Sequence, residues 1–280
     1  MVPRAVSIAA LVEDYNGILL DAYGILVDAR GALPGAAALI ELLVRRAKPY
    51  AVVTNDASRS VATYVARFAA LGLPIEGDRI ITSGSLLPGY FRERGLVGAR
   101  TCVLGTEDSF ALVREGGGVP IDLVPPIELD AVAICDDAGT PFLDGIELAL
   151  SGIVRAVEAG RRPALVLPNP DLVYPKGGGE LGFTAGAMAL LIEAALARRF
   201  PGANLVFDRL GKPEPHLFLA AARRLALPPA RLVMVGDQLE TDIAGARSAG
   251  IDAALLAGIS RWDDRGADLA PTYLLATIAP

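Results

Sequence analysis

Residues Leu19–Asp28 read LLDAYGILVD. An apolar run ends on a carboxylate, Asp21, with Tyr23 and Gly24 close behind it. A short, wholly apolar run of this kind fits a strand buried on both faces of a parallel sheet. In open α/β sheets, ligands bind just beyond the carboxyl ends of such strands. The stretch therefore raises two questions: what Asp21 is delivered to, and why the next inward-looking position is Tyr23 and not a second acid.

The same texture recurs along the chain. Runs rich in Val, Ile and Leu at Gly17–Leu20, Tyr50–Val53, Arg79–Thr82, Thr101–Leu104, Ala131–Ile134, Ala164–Leu167, Leu205–Phe207, Arg231–Val235 and Ala253–Leu256 predict strands. Ala-rich helical patterns alternate with them at Pro34–Arg46, Arg59–Leu71, Phe110–Glu115, Leu143–Ala159, Phe183–Arg199, Pro215–Leu225 and Glu240–Ala249. This alternation predicts an α/β fold with a Rossmann-like, mostly parallel sheet. Glycine and proline clusters (Gly116–Gly118, Pro125-Pro126, Lys176–Gly179) give the middle third a different texture. The expected organisation is a core over 1–83, an inserted α/β unit over 84–206, and the core again over 207–280.

Composition narrows the function. Of 280 residues 52% are apolar and 21% charged, enough for a sizeable core and against disorder. A net charge of −6 argues against a nucleic-acid partner, which asks for a basic face. Phosphate and metal chemistry stay open because they need local charge only. Cys102 and Cys135 sit in apolar contexts and read as buried, reduced thiols. The N-terminus lacks a signal-peptide core, and Phe183–Ala197, interrupted by Glu193, is too short to span a bilayer. A soluble, cytoplasmic protein with no membrane partner is expected. The single histidine, His216, excludes a histidine-centred triad or a multi-histidine metal site. Gly177–Gly182 fits G-x-G-x-x-G at the opening of a helical pattern, but it follows no clean strand and reads as a flexible turn.

Four stretches place polar residues after apolar strands: Asp21-Ala22-Tyr23-Gly24, Thr54-Asn55-Asp56, Gly211-Lys212-Pro213, and Gly236-Asp237 with Thr241-Asp242. Each alone has a structural explanation, such as a turn or a helix cap. Together they form one chemistry. A strand-end carboxylate can attack phosphorus to form an aspartyl-phosphate. Asp21 and Asp237 are hard oxygen ligands suited to Mg²⁺, which lets an anionic nucleophile approach an anionic phosphate. Thr54 offers a hydroxyl, with backbone N–H donors beside it at an expected helix start. Lys212 supplies a compact cation for Asp21 and the phosphate.

The set DAYG, VTNDASRS, GKPEP and GDQLETDI, in this order and over nearly the whole chain, resembles the haloacid dehalogenase superfamily, chiefly Mg²⁺-dependent phosphatases. Few residues separate Asp21 from Thr54, whereas a domain-sized stretch separates Thr54 from Lys212. With Pro168–Pro175 (PNPDLVYP), this spacing is similar to the class with a large α/β cap after the second motif, such as the nagD-type and pyridoxal phosphate phosphatases. The resemblance implies a cap that closes over the site, substrate selection by Asn169 and Asp171, and a homodimer through the cap. It further implies Asp21 as nucleophile and Mg²⁺ held by Asp21, the Tyr23 carbonyl and Asp237, with Asp242 behind them. Thr54, Asn55 and Lys212 would hold the phosphate. Asp56 and Arg59 read as helix-start residues.

Tyr23 departs from that pattern, because phosphatases of the superfamily usually carry there an aspartate that protonates the leaving oxygen. Three readings follow. One is a phosphatase for leaving groups that need little protonation: acyl phosphates, phosphoramidates or pyrophosphate. Another is a weak or inactive phosphate-binding regulatory protein. The last is a haloacid dehalogenase, whose DAYG motif matches but whose cap lies earlier in the chain and which dispenses with metal.

Overall fold

The computed structural model describes residues 3–177, 179–257, 260, 262 and 269–280. In chain order the strands are β1 (Arg4–Ala5), β2 (Gly17–Leu20), β3 (Val27–Asp28), β4 (Gly31–Ala32), β5 (Tyr50–Thr54), β6 (Ile80–Thr82), β7 (Arg100–Leu104) and β8 (Val119–Pro120). They continue as β9 (Ala131–Ile134), β10 (Ala164–Leu167), β11 (Val173–Gly177), β12 (Glu180–Phe183), β13 (Asp208–Arg209), β14 (Leu232–Gly236), β15 (Asp252–Leu256) and β16 (Tyr273–Leu275). The helices are α1 (Ile8–Asp14), α2 (Ala36–Arg45), α3 (Val61–Ala70), α4 (Leu87–Glu93), α5 (Glu107–Glu115), α6 (Phe142–Glu158), α7 (Ala185–Arg199), α8 (His216–Leu225) and α9 (Ala244–Ser248).

These elements form two compact units. The first comprises residues 1–54, 61–81 and 212–280; the second comprises 55–60 and 82–211. The first unit is built on a seven-stranded sheet of order β1-β16-β15-β14-β2-β5-β6. The pairs from β1 across to β5 run parallel. Every residue of β2, β5 and β14 is buried, as a central strand covered on both faces requires. A core of Ile18, Leu20, Val52, Val233 and Val235 packs with Leu39 and Leu43 of α2 and with Tyr64 and Phe68 of α3.

The second unit has a five-stranded parallel sheet of order β13-β10-β9-β7-β8. The period-two alternation of its strands sorts side chains onto opposite faces. Cys102, Leu104, Val132, Ile134, Leu165 and Leu167 pack with Ile146 and Ile153 of α6 and Met188 and Ile192 of α7. Val103, Ala133, Cys135 and Val166 pack instead with Leu87 and Phe91 of α4 and Val113 of α5. Both cysteines are free and buried, and burial pushes each thiol up to about 12. Among the described residues, no helix is long and apolar enough to cross a membrane.

Several local expectations are corrected. Leu205–Phe207 is not a strand; Leu205 and Phe207 are core anchors, and pairing with β10 begins only at Asp208. Phe183 does not open a helix: it ends β12, paired with Val173, and α7 starts after Thr184. The glycine run at 177–182 therefore turns a β-hairpin and opens no helix, with Gly178 outside the described residues. The stretch at 240–249 is interrupted, because a π turn at Leu239–Ile243 precedes the short α9. Two helices lay hidden in the sequence. α1 is capped by the Ser7 hydroxyl, which accepts from the Ala10 N–H. α4 carries a proline in its first turn, where the missing N–H costs nothing.

Candidate active site

β2 and β14 are neighbours, paired in register from Gly17–Leu232 to Leu20–Val235, so the residues that follow them are adjacent in space. The Asp21 N–H still donates to the Val235 carbonyl at 3.0 Å, tying the end of β2 to β14. Asp21 and Asp237 thus leave the same edge of the sheet. Asp242 joins them through the π turn, in which the Ile243 N–H donates to the Gln238 carbonyl at 3.2 Å. The wide turn brings the Asp242 carboxylate back to accept from the Asp237 and Gln238 N–H groups, each at 3.2 Å. Such turns are rare and are frequent at functional sites.

Lys212 arrives from a distant part of the chain and closes the cluster. Its Nζ donates to Asp21 Oδ1 at 2.8 Å, to Asp242 Oδ1 at 2.6 Å and to the Val53 carbonyl at 3.4 Å. All four ionisable side chains are buried, Lys212 and Asp21 at 3% and 4% exposure. Burial disfavours the charged Lys212, but Asp21 and Asp242 outweigh it and hold the ammonium well above its ordinary value. Burial, then Asp242, pushes Asp21 well above the carboxylate range against the pull of Lys212. The same two causes push Asp237 up to about 7.

Asp21, Asp237 and Asp242 offer oxygen atoms within 4.8 Å of one another. Among the described residues, three carboxylates face one ammonium, and the buried Asp237 Oδ1 has no hydrogen-bond partner. An orphaned buried carboxylate oxygen is costly unless a cation takes it. Oxygen donors suit a hard divalent cation, so the residues present fit one. Asp242 differs from the other two: its Oδ1 is engaged by Lys212 and its Oδ2 by two backbone N–H groups.

The remaining residues from the sequence reading fall into two places. Thr54 is the buried last residue of β5, next to the Val53 carbonyl that accepts from Lys212. The helix expected over Arg59–Leu71 runs from Val61 to Ala70, so Arg59 lies two residues before its first residue and Asp56 in the loop that leads to it. Asp56 and Arg59 form an ion pair, and Asp56 also accepts from the Ser58 N–H and hydroxyl. Asn55, Asn169 and Asp171 gather in the second unit. Asn55 Nδ2 donates to Asp171 Oδ1 at 2.9 Å, and the Asp171 N–H donates to Asn169 Oδ1 at 3.0 Å. Tyr23 packs its half-buried ring against the core of the first unit, with the Arg67 guanidinium 5.1 Å from the ring centroid. His216 is exposed at the start of α8.

Two family models match the chain, one described as haloacid dehalogenase-like hydrolase over residues 18–118 and one as HAD-hydrolase-like over 209–280, together more than half of it. The chain belongs to the haloacid dehalogenase-like hydrolases. It is 28% identical to chronophin of Homo sapiens, over 99% of this chain and 95% of that protein. A solved structure of a possible sugar phosphatase of the superfamily, from Cytophaga hutchinsonii, superposes with a TM-score of 0.84 at 27% identity, covering 99% of each chain. A glycerol phosphate phosphatase from Mycobacterium tuberculosis, solved in complex with calcium, superposes at 0.79 with 26% identity, covering 96% of this chain and 75% of that one.

In this haloacid dehalogenase-like hydrolase, sequence reasoning missed the Val53 carbonyl and the π turn. The only sequence trace of the turn is the short interval between Asp237 and Asp242, which an ordinary helical turn also fits.

Proposed function

We propose that this chain is a Mg²⁺-dependent phosphatase that turns over small phosphorylated metabolites through an aspartyl-phosphate on Asp21. The observation that carries the reading is Lys212, buried with one hydrogen bond to Asp21 and another to Asp242, beside an orphaned Asp237 oxygen. Asp21 attacks phosphorus as the bond to the leaving oxygen breaks, and water then cleaves the acyl-phosphate to inorganic phosphate. Lys212 stays protonated and offsets charge on Asp21 and on the phosphate. Asp21, Asp237 and the Tyr23 carbonyl would hold Mg²⁺, with Asp242 fixing Lys212 and the loop behind them. When bound, the ion screens the repulsion between nucleophile and phosphate. Thr54 and Asn55 are assigned to the phosphate, and Asn169 and Asp171 to substrate choice, on the family pattern.

Tyr23 selects among phosphate substrates. With its ring against the core and Arg67, it places no carboxylic acid by the leaving oxygen. Substrates whose leaving group departs without a proton, such as acyl phosphates, phosphoramidates or pyrophosphate, are therefore favoured. The buried Asp237 and Asp242 count for this reading over dehalogenation, which needs no cation. The exposed Leu181, Phe183 and Leu143 of the second unit support a homodimer through that unit, which sedimentation of the wild type against Phe183→Ser tests.

The deciding experiment compares wild type and Asp21→Asn on acetyl phosphate and an aryl phosphate, with and without Mg²⁺. Turnover that requires both Asp21 and Mg²⁺ is expected. Turnover unchanged in Asp21→Asn, absent altogether, or replaced by halide release from a 2-haloacid without metal would each reject the assignment.

A further inference from the structure

Two glycines beside the carboxylate cluster are places where side chains of the cluster occupy the space of a missing Cβ. At Gly24 an ideal Cβ would fall 2.1 Å from Asp237 Oδ2, 2.4 Å from its Cγ and 2.7 Å from its Oδ1. At Gly236 it would fall 2.3 Å from Asp242 Cβ and 2.4 Å from its Oδ2. Real Cβ atoms essentially never come within 3.0 Å of another heavy atom in this way, so both carboxyl groups rest where only glycine leaves room.

The two carboxylates differ in what else holds them. Asp242 is tied by Lys212 and by two backbone N–H groups. Among the described residues, Asp237 Oδ1 has no hydrogen-bond partner although it is buried. Steric fit against the backbone of Gly24 therefore restrains the Asp237 carboxylate. Gly24 is itself fixed, at φ +92° in the tight turn after Asp21, where its N–H donates to the Val27 carbonyl at 2.9 Å. The turn that follows the Asp21 strand thus shapes the seat of a carboxylate delivered by a different strand.

We propose that Gly24 is a positioning residue for cation binding: its missing side chain opens the slot in which Asp237 rests and so sets the separation of Asp21 and Asp237. This rests on the reading of the cluster as a divalent-cation site. A side chain at position 24 displaces the Asp237 carboxylate from that slot, and the site loses one of its donors without losing a residue.

The test uses the metal-stripped full chain and Mn²⁺ as probe, with free ion followed by electron paramagnetic resonance and no substrate present. Gly24→Ala is expected to weaken Mn²⁺ binding at least about tenfold, as one lost carboxylate donor would. Gly31→Ala also forces alanine to positive φ (+143°), but its nearest neighbour is 3.9 Å away, and it should leave Mn²⁺ binding unchanged. Melting temperatures complete a cycle: Gly24→Ala should cost clearly more in the wild-type background than in Asp237→Ala, where the obstructing carboxylate is gone. If Gly24→Ala alone fails to fold, recovery of folding in Gly24→Ala/Asp237→Ala supports the proposal and failure of both overturns it. Equal melting losses in the two backgrounds, or equal Mn²⁺ loss in Gly31→Ala, overturns it as well. A wild-type chain that takes up no Mn²⁺ rejects the cation reading itself, whereas normal wild-type uptake with unaltered uptake in Gly24→Ala rejects only the role of Gly24.

Discussion

Replacing Lys212 by methionine keeps the length and apolar character of the stem and removes only the ammonium. Among the described residues that ammonium is the one cation hydrogen-bonded to Asp21 and Asp242, at 2.8 and 2.6 Å, inside a site where the Lys212 side chain is 4% exposed. Removing one partner of a buried ion pair typically costs about 3–5 kcal/mol, because the other charge stays buried without compensation. Here two carboxylates lose that partner, so the upper part of the range applies. At about 2–4 °C per kcal/mol for a protein of this size, the melting temperature should fall by roughly 10 °C or more. The assay is thermal unfolding followed by circular dichroism, in chelator and in excess Mg²⁺. The loss should be largest in chelator near pH 8 and shrink near pH 5. The sign follows from the raised values of Asp21 and Asp237: acids pushed up by folding stabilise while protonated and lose that contribution as pH rises through the folded value. Mg²⁺ at about 100 times its dissociation constant should return about 2.7 kcal/mol in any chain that still binds it. A melting temperature within about 2 °C of wild type in chelator at both pH values would refute the reasoning, since the carboxylates would then not depend on Lys212.

Tyr23→Asp should raise kcat/KM on alkyl phosphate monoesters by about 10²- to 10⁴-fold, the usual worth of a positioned general acid, with much less change on acetyl phosphate. Steady-state assays on the two substrate classes check this, and a uniform change across them counts against a proton deficit at the leaving group. Asp136, just after β9 of the second unit, is pushed up to about 6, first by burial and then by Asp137 and Asp56, against its bond from the Ala138 N–H and the pull of Arg59. Its stabilising contribution is present below about pH 4 and lost as pH rises through about 6. Asp136→Asn should therefore stabilise the chain near pH 8 by about 1–2 kcal/mol, after discounting for partial exposure, and have no effect near pH 4. Urea titrations at the two pH values decide it.

The parallel sheets were legible because burial on both faces demands continuous apolar runs, and Gly17–Leu20 and Ala131–Ile134 read as strands to the residue. Helices with an ordinary amphipathic stripe, such as α6, were equally open to reading. α4 was not, because its proline and glycine suggest a loop until the packing of Phe91 in the second unit is seen. The β11–β12 hairpin was masked by its exposed apolar residues, which read as the start of a helix when no partner strand is in view. Thr54 was placed on the right strand end and α3 within two residues of its start, whereas nothing in the sequence showed that the run from Asn55 to Ser60 between them belongs to the second unit.

By itself the sequence determined the chemistry available: one carboxylate after a strand, two further aspartates, one lysine, and a tyrosine where a second acid is usual. Residue types and their order are local facts, and composition and spacing carry them. Tertiary structure decided what those groups do to one another. Parallel pairing of β2 with β14 put Asp21 beside Asp237, and the π turn brought Asp242 back to the same point. Lys212 then met two of the three, and Gly24 gave Asp237 its place. Distance, burial and the fit of a carboxyl group into the space of a missing Cβ are relations between remote segments, and only the folded chain defines them.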